Sequence, residues 1–354
     1  YRLTGRRVAS ANTAIQRGFF GAEEAETKGK GSVGWPSALF SLANMEDLTA
    51  KLGKVYPVGA VVGAISPEVA SEIGLSSKEE VQDWKHSAGD VKVVCGGGDA
   101  FVGILGMAVA DDGQIGLMTG SSNVVVGLQR NISERQRRMI QQNGVFGPFP
   151  DAVIPGFELL EAGQPSTGSM LSWFQRNFAP HSSFRELDLK AAEIPVGSGG
   201  LLVLDCFQGC RTPHIDSKAR GVIIGLSLAT RVEEIYRAML ESIAYGTRRA
   251  LEGVQAGRHG GESKGVREVV VVGGATKSEI FMGIFADVLG VELVTLDSPN
   301  AAMLSAAVVA SAGLRISGGN LAETSQKFVR VGRRYSPDKA RHELYQTLYS
   351  NYLS

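Results

Sequence analysis

The segment Val91 to Leu105, VKVVCGGGDAFVGIL, runs an apolar strand pattern into Gly96, Gly97 and Gly98 and delivers one carboxylate, Asp99, to an open turn. Three glycines free the backbone from side-chain constraints and let a ligand approach it closely, and ligands of α/β sheets gather where strands end. A carboxylate at that point is placed for chemistry on a bound group. Taken alone, the same residues also fit plain turn chemistry, since glycine and aspartate are both turn formers. A second glycine turn follows at Val269 to Gly290, VVVVGGATKSEIFMGIFADVLG, again in the order apolar strand, glycine pair, helix. Two such turns suggest a nucleotide cleft.

Other constellations carry less. Cys206, Cys210 and His214 have a C-x3-C-x3-H spacing that could suggest zinc, but only three candidate ligands cluster and no second cysteine pair follows, so no metal site is expected. The remaining histidines, at 86, 181, 259 and 342, lie near no Gly-x-Ser-x-Gly nucleophile, so a hydrolase triad has no support. No G-x-G-x-x-G follows an early strand with an acidic partner about twenty residues on, which disfavours a dinucleotide enzyme.

The elements that must position these residues can be read from spacing. Ser66-Pro67-Glu68 supplies a cap, a first-turn proline and an early acid for a helix that Gly74 stops. Beyond Met107 the pattern changes to hairpin-like runs, GQIGLMTG at Gly113 to Gly120 and VVVGLQ from Val124, around a Ser121-Ser122-Asn123 turn. The arginine-rich stretch Gln129 to Gln142 reads as a solvated loop or short helix. Glu161 to Phe178 begins with loop residues and becomes an amphipathic helix carrying Met170, Leu171, Trp173 and Phe174, which read as core. Thr230-Arg231-Val232-Glu233 forms a capping box for a helix with Ile235, Met239 and Ile243 at four-residue spacing. Two further helices are expected, from about Ser278 to Leu289 with Gly290 as its stop, and over Ala301 to Ala312 with Gly313 as its stop. Strand, turn and helix recur without a repeat period, which argues for a layered α/β fold.

The bulk numbers bound the function. The 354 residues suffice for two domains, and 44% hydrophobic with 20% charged residues is the balance of a compact protein. Lysine plus arginine equal aspartate plus glutamate at 36 each, so no net field recruits nucleic acid or an acidic membrane. Three cysteines, Cys95, Cys206 and Cys210, make no disulfide framework and point to a reducing compartment. No run approaches the roughly 18 apolar residues of a membrane span, and no basic-then-apolar leader opens the chain. The expectation is a soluble, cytoplasmic protein with a small-molecule ligand, and no nucleic-acid or membrane partner.

Taken together, GGGDA with GxLG at Gly103 to Gly106, TGSS at Thr119 to Ser122 and GGATKSEIF at Gly273 to Phe281 resemble, in order and spacing, the FGGY family of carbohydrate kinases. The resemblance runs through nearly the whole chain. It implies an actin-like ATPase (ribonuclease H-like) two-domain α/β fold with an incomplete first domain: residues 1–110 as the rear of the sugar-binding domain, residues 111–354 as the nucleotide-binding domain. It implies ATP with Mg2+ as cofactors, a small sugar or polyol as substrate, and a homodimer or homotetramer. Hinge closure would bring the terminal phosphate to the substrate hydroxyl. Asp99 matches the family's catalytic base, with Ala100 beside it at the substrate. Gly120, Ser121 and Ser122 match the second phosphate hairpin, where Gly-Thr-Ser is usual; Gly168 matches a nucleotide-proximal glycine. Gly274 and Ala275 match the adenosine-binding turn, and Ser278 falls where the family often has a polar contact to adenine. Arg211-Thr212-Pro213 resembles the family's Gly-x-Arg-x-Pro loop, normally without metal.

EAGQPSTGSMLSWF and GCRTPH look most like ribulokinase-type members, which favours a ketopentose such as ribulose, with glycerol, erythritol or a pentitol as alternatives. Gly34-Trp35-Pro36 and Arg2-Leu3-Thr4-Gly5 resemble interior segments of the family. The opening YRLTGRR reads as the middle of a domain, and the family's Asp-x-Gly-Thr hairpin has no counterpart before Asp99, so upstream residues are expected to be missing. Two readings from other classes remain: an inactive ATP-binding or regulatory relative, and an acetate-kinase-like enzyme of the same superfamily.

Overall fold

A computed structural model describes residues 1–16, 37–46, 51, 53–74, 91–256, 266, 268–298 and 300–354. Gly34-Trp35-Pro36, His86 and His259 lie outside the described residues. Two compact units emerge: residues 1–110 with 149–157 and 302–328, and residues 111–148 with 158–301 and 329–354. The family resemblance implies one continuous domain over 111–354; in the structure, residues 149–157 and 302–328 pack with the first unit. The second of them is drawn there by packing that only small residues allow: a Cβ on Gly313 would fall 2.5 Å from the Gly59 carbonyl oxygen. The Ser325 hydroxyl of the same segment donates to the Leu105 carbonyl.

In the first unit, short strand pairs form parallel between Val8–Ser10 and Lys54–Tyr56 and antiparallel between Val61–Ala64 and Lys92–Val94. Ser66 caps the helix Pro67–Glu72, its side chain accepting from the Val69 amide, and Gly74 follows with φ +77°.

The second unit is built on a seven-stranded sheet in the order Val331–Tyr335, Glu292–Leu296, Glu268–Gly273, Ile115–Thr119, Asn123–Gln129, Glu158–Gln164, Phe146–Pro150. Glu268–Gly273 is parallel to both its neighbours and the other assigned pairings are antiparallel. Its run of four valines is what a parallel strand covered on both faces requires. Helix Val232–Gln255 packs on the sheet through Met239, Leu240, Ile243 and Ala244, which share one core with Ile115, Leu117, Leu160 and Val271.

Two sequence expectations change, and one with two readings is resolved. Glu161 to Gln164 is strand, because Asn123–Gln129 offers it a full ladder, Asn123 opposite Gln164 through Gln129 opposite Glu158, and burial of Leu159, Leu160 and Ala162 outweighs weak local propensity. The helix after Thr230 starts at Val232, with Arg231 as cap, its amide donating to Glu234 Oε2 at 2.9 Å. Thr230 Oγ1 is already taken, accepting from the Ser227 amide at 2.9 Å in a local turn. The arginine-rich stretch resolves into helix Glu134–Gln142, fixed by a Ser133–Gln136 capping box that only a reading of the cap would have found. Among the described residues no helix is long and apolar enough to cross a membrane.

Candidate functional site

Asp99 is the first residue of a short helix, Asp99–Val102, rather than part of an open turn. What fixes it there is Asn12, fully buried, whose Oδ1 accepts from the Gly98 amide at 2.8 Å and whose Nδ2 donates to the Ala152 carbonyl at 2.9 Å. Gly97 must be glycine, since a Cβ would fall 2.5 Å from Asn12 Oδ1. The Asp99 carboxylate is exposed; its Oδ1 accepts from the Ala100 amide at 2.9 Å. It lines a hollow of about 380 Å³ in the first unit with Gly96, Gly97 and Ser305, whereas Ala100 is not among the lining residues.

The second unit contains a cleft of about 770 Å³. Gly120, Gly168, Gly274, Ala275 and Ser278 all line it, although they come from three separate parts of the chain. The hairpin between Thr119 and Asn123 is closed by the Gly120 amide donating to the Ser122 carbonyl at 2.9 Å. The loop before helix Gly168–Phe178 is tied to this hairpin: the Thr167 and Ser169 amides donate to Ser121 O at 2.9 and 3.2 Å, and the Gly168 amide to Gly120 O at 3.1 Å. So close an approach excludes a side chain, since a Cβ on Gly168 would lie 2.4 Å from Gly120 O. Ser121 and Ser122 themselves do not line the cleft; Ser121 acts through its carbonyl as the anchor of the 167–169 segment.

The second glycine turn meets the hairpin from the other side. Gly273, at φ +104°, would place a Cβ 1.8 Å from the Thr119 carbonyl oxygen, and the Ala275 amide donates to Thr119 Oγ1 at 3.1 Å. Gly274 is different: a Cβ there meets nothing within 4 Å, so its open side is cleft space. Ser278 caps helix Glu279–Leu289, its Oγ accepting from the Phe281 amide at 3.2 Å, which leaves its O–H as a donor at the cleft wall.

Spacing did not reveal the rest of the lining, which includes Leu171, Phe184, Arg185, Asp188, Leu189 and Tyr236. Tyr236 donates to Asp188 Oδ1 at 2.9 Å, and burial beside that carboxylate pushes its phenol well above the ordinary range. Behind the floor runs a buried polar chain. Thr167 Oγ1 donates to Asn123 Oδ1 at 3.1 Å and Asn123 Nδ2 to Thr247 Oγ1 at 3.1 Å. Thr247 donates to Gln164 Oε1 at 2.7 Å, Gln164 Nε2 to Asp205 Oδ2 at 2.6 Å, and Tyr352 to Asp205 Oδ1 at 2.7 Å. Satisfied at each step, such a chain fixes the hairpin and the 167–169 loop in one arrangement. Cys206, Cys210 and His214 line a separate, smaller cavity, and among the described residues no group of three or more His, Cys, Asp or Glu could hold a metal ion.

The cleft thus combines glycines from three parts of the chain with the apolar side chains of Leu171, Phe184 and Leu189. Comparison with known proteins bears on what fills it. The family described as FGGY family of carbohydrate kinases, C-terminal domain, matches residues 118–314. The ribulokinase of Halalkalibacterium halodurans is 29% identical over 376 residues, covering 100% of this chain and 61% of the relative. The xylulose kinase of Bacillus subtilis is 29% identical over 295 residues, covering 82% and 53%. The chain thus spans about three-fifths or less of these curated relatives. Among solved structures, a xylulose kinase from Rhodospirillum rubrum superposes with a TM-score of 0.78 at 26% identity, covering 99% of this chain and 64% of that one. A ligand-bound xylulose kinase from Lactobacillus acidophilus gives 0.81 at 21%, with the same coverage. The fold is accordingly that of the actin-like, ribonuclease H-like sugar kinases, and the chain belongs to the FGGY family of carbohydrate kinases.

Proposed function

We propose that the protein transfers the γ-phosphoryl group of ATP to a hydroxyl of a small sugar or polyol, with a ketopentose such as ribulose favoured. The observation that carries this reading is the convergence of Gly120, Gly168, Gly274 and Ala275 on one cleft, next to backbone that tolerates no side chain at Gly168 or Gly273. Those features fit a nucleotide: the side-chain-free surface at Gly120 and Gly168 for the phosphates, the open face of Gly274 for the adenosine, and the apolar groups of Leu171, Phe184 and Leu189 for a ring face. Mg2+, arriving with the nucleotide, supplies charge neutralisation at the phosphates. In this reading the second unit binds nucleotide and the first binds sugar.

Asp99 is the general base. Its exposed carboxylate lines the hollow of the first unit and can accept the proton of a bound hydroxyl as that oxygen bonds to phosphorus. Asn12 and Gly97 hold the Gly98 amide and so set where Asp99 begins its helix. Ser121 holds the 167–169 loop, and Ala100 orients the carboxylate through its amide. The names ribulokinase and xylulose kinase among the relatives support a ketopentose.

The test is ADP release by the full-length protein with ribulose, xylulose, ribitol, xylitol, erythritol and glycerol. Stimulation by ribulose above the others is the expected result. ATP hydrolysis indifferent to every one of them would overturn the reading.

A further inference from the structure

The smaller cavity of the second unit, about 220 Å³, has Cys206, Cys210, Asp205, Gln164 and Tyr352 in its wall. Neither thiol has a part in the chemistry proposed above. The Gly209 amide donates to the Cys206 carbonyl at 3.2 Å, a reverse turn that folds the chain back just before Cys210. Gly209 is required there, at φ +80° with a Cβ site 2.8 Å from Asp216 O. Cys210 is then pinned by reciprocal backbone bonds with Asp216, 2.7 Å from its amide to Asp216 O and 3.0 Å from the Asp216 amide to its carbonyl. Both thiols are free and half-buried, and both line this one small cavity.

We propose that Cys206 and Cys210 are a redox modification site, a dithiol that a hydroperoxide oxidises to an intramolecular disulfide. The asymmetry of the pair sets the order of events: the Cys206 thiol draws Cys210 down to about 7, while Cys206 itself is pushed up. Cys210 is therefore the attacking thiolate. Its sulfur bonds to one peroxide oxygen, the O–O bond breaks, and the departing oxygen takes up a proton, leaving Cys210 as a sulfenic acid. The Cys206 sulfur then bonds to the Cys210 sulfur, the S–O bond breaks, and the hydroxide leaves as water with the Cys206 proton. Two thiols lose two electrons and two protons, and hydrogen peroxide becomes two waters. Cys95 is a built-in contrast: it is buried, and burial pushes its thiol up.

The position of the pair gives the oxidation somewhere to act. Cys206 follows Asp205, which anchors the polar chain through Gln164, Thr247 and Asn123 to Thr167. Drawing Cys206 toward Cys210 shifts that anchor and loosens the 167–169 loop on the hairpin.

The experiment treats the full-length protein with hydrogen peroxide and maps its peptides without reduction. The expected result is a Cys206–Cys210 linkage with the loss of two hydrogens, reversed by dithiothreitol, while Cys95 keeps its thiol. Amide exchange at Thr167 and Ser169 should rise several-fold in the oxidised protein. Cys206→Ser should form no such linkage and instead leave a Cys210 sulfenic acid that dimedone traps. Cys206 and Cys210 remaining thiols while Cys95 oxidises would overturn the assignment, as would linkage of Cys210 to any other cysteine. A disulfide that leaves the two amides exchanging as before would overturn the coupling to the cleft.

Discussion

Gln164 Nε2 donates to Asp205 Oδ2 across 2.6 Å, and the two groups fill the space beside Gly246, where a Cβ would lie 2.3 Å from Nε2 and 2.7 Å from Oδ2. Gly246 sits in the interior of the 24-residue helix Val232–Gln255, where glycine is less favourable than alanine by about 1 kcal/mol. Gly246→Ala should nevertheless destabilise the protein. Gln164 cannot retreat, being buried and also bonded to the Ile243 carbonyl at 3.2 Å and to Thr247. A loss of roughly 1–3 kcal/mol, the scale of overpacking in a filled core, is expected in urea unfolding. A variant as stable as the parent would show that the polar pair yields.

The adjacent glycines 273 and 274 should separate folding from binding. Gly273→Ala forces a side chain into a left-handed backbone 1.8 Å from Thr119 O, so the melting temperature should fall sharply. Gly274→Val meets no protein atom at its Cβ, so the fold should persist while ADP affinity drops about tenfold, or ~1.4 kcal/mol. Calorimetric melting and an ADP titration of both variants check this; unchanged ADP affinity in Gly274→Val would make the turn a purely structural element.

Asp205 gives a pH dependence with a fixed sign. Burial raises its carboxyl above the ordinary value of 3.8, against hydrogen bonds from Gln164 and Tyr352 that lower it. The folded state therefore holds the proton more tightly than the unfolded chain, and the contribution of Asp205 to stability, complete below 3.8, is lost as the pH rises toward the folded-state value. Asp205→Asn removes this titration. Whatever its offset from one altered hydrogen bond, the stability of Asp205→Asn relative to the parent should increase as the pH is raised above 3.8 in urea unfolding. A constant difference would mean that Asp205 is not perturbed.

How far the chain could be read in advance depended on whether a signal was local. The valine run before Gly273, the Ser66 cap and the Gly290 stop each act within a few residues, and each stands where spacing puts it. Glu161 to Gln164 looked like loop because its strand exists only by pairing with Asn123–Gln129, more than thirty residues earlier. Gly120, Gly168 and Gly274 were legible through the family's pattern, and the backbone approach that requires glycine at 168, against Gly120 O, is visible only in the fold. Asn12 and Asp205 were not, since their roles come from partners at Gly98, Ala152, Gln164 and Tyr352. Ser278 does line the cleft, while its hydroxyl oxygen also caps the helix that follows, a second role that comes from the fold.

Asp99→Asn tests the remaining chemistry. The substitution removes a carboxylate that is exposed in the first unit and keeps an oxygen for the Ala100 amide. If Asp99 takes the hydroxyl proton, turnover with the preferred sugar should fall by about 10²–10⁴, the usual contribution of a general base, with ADP affinity and melting temperature unchanged. The split between turnover and nucleotide affinity matters more than the size of the loss, because a misfolded variant would lose both together. Retained turnover would remove Asp99 from the mechanism and leave the proton to pass to the phosphate oxygens or to water.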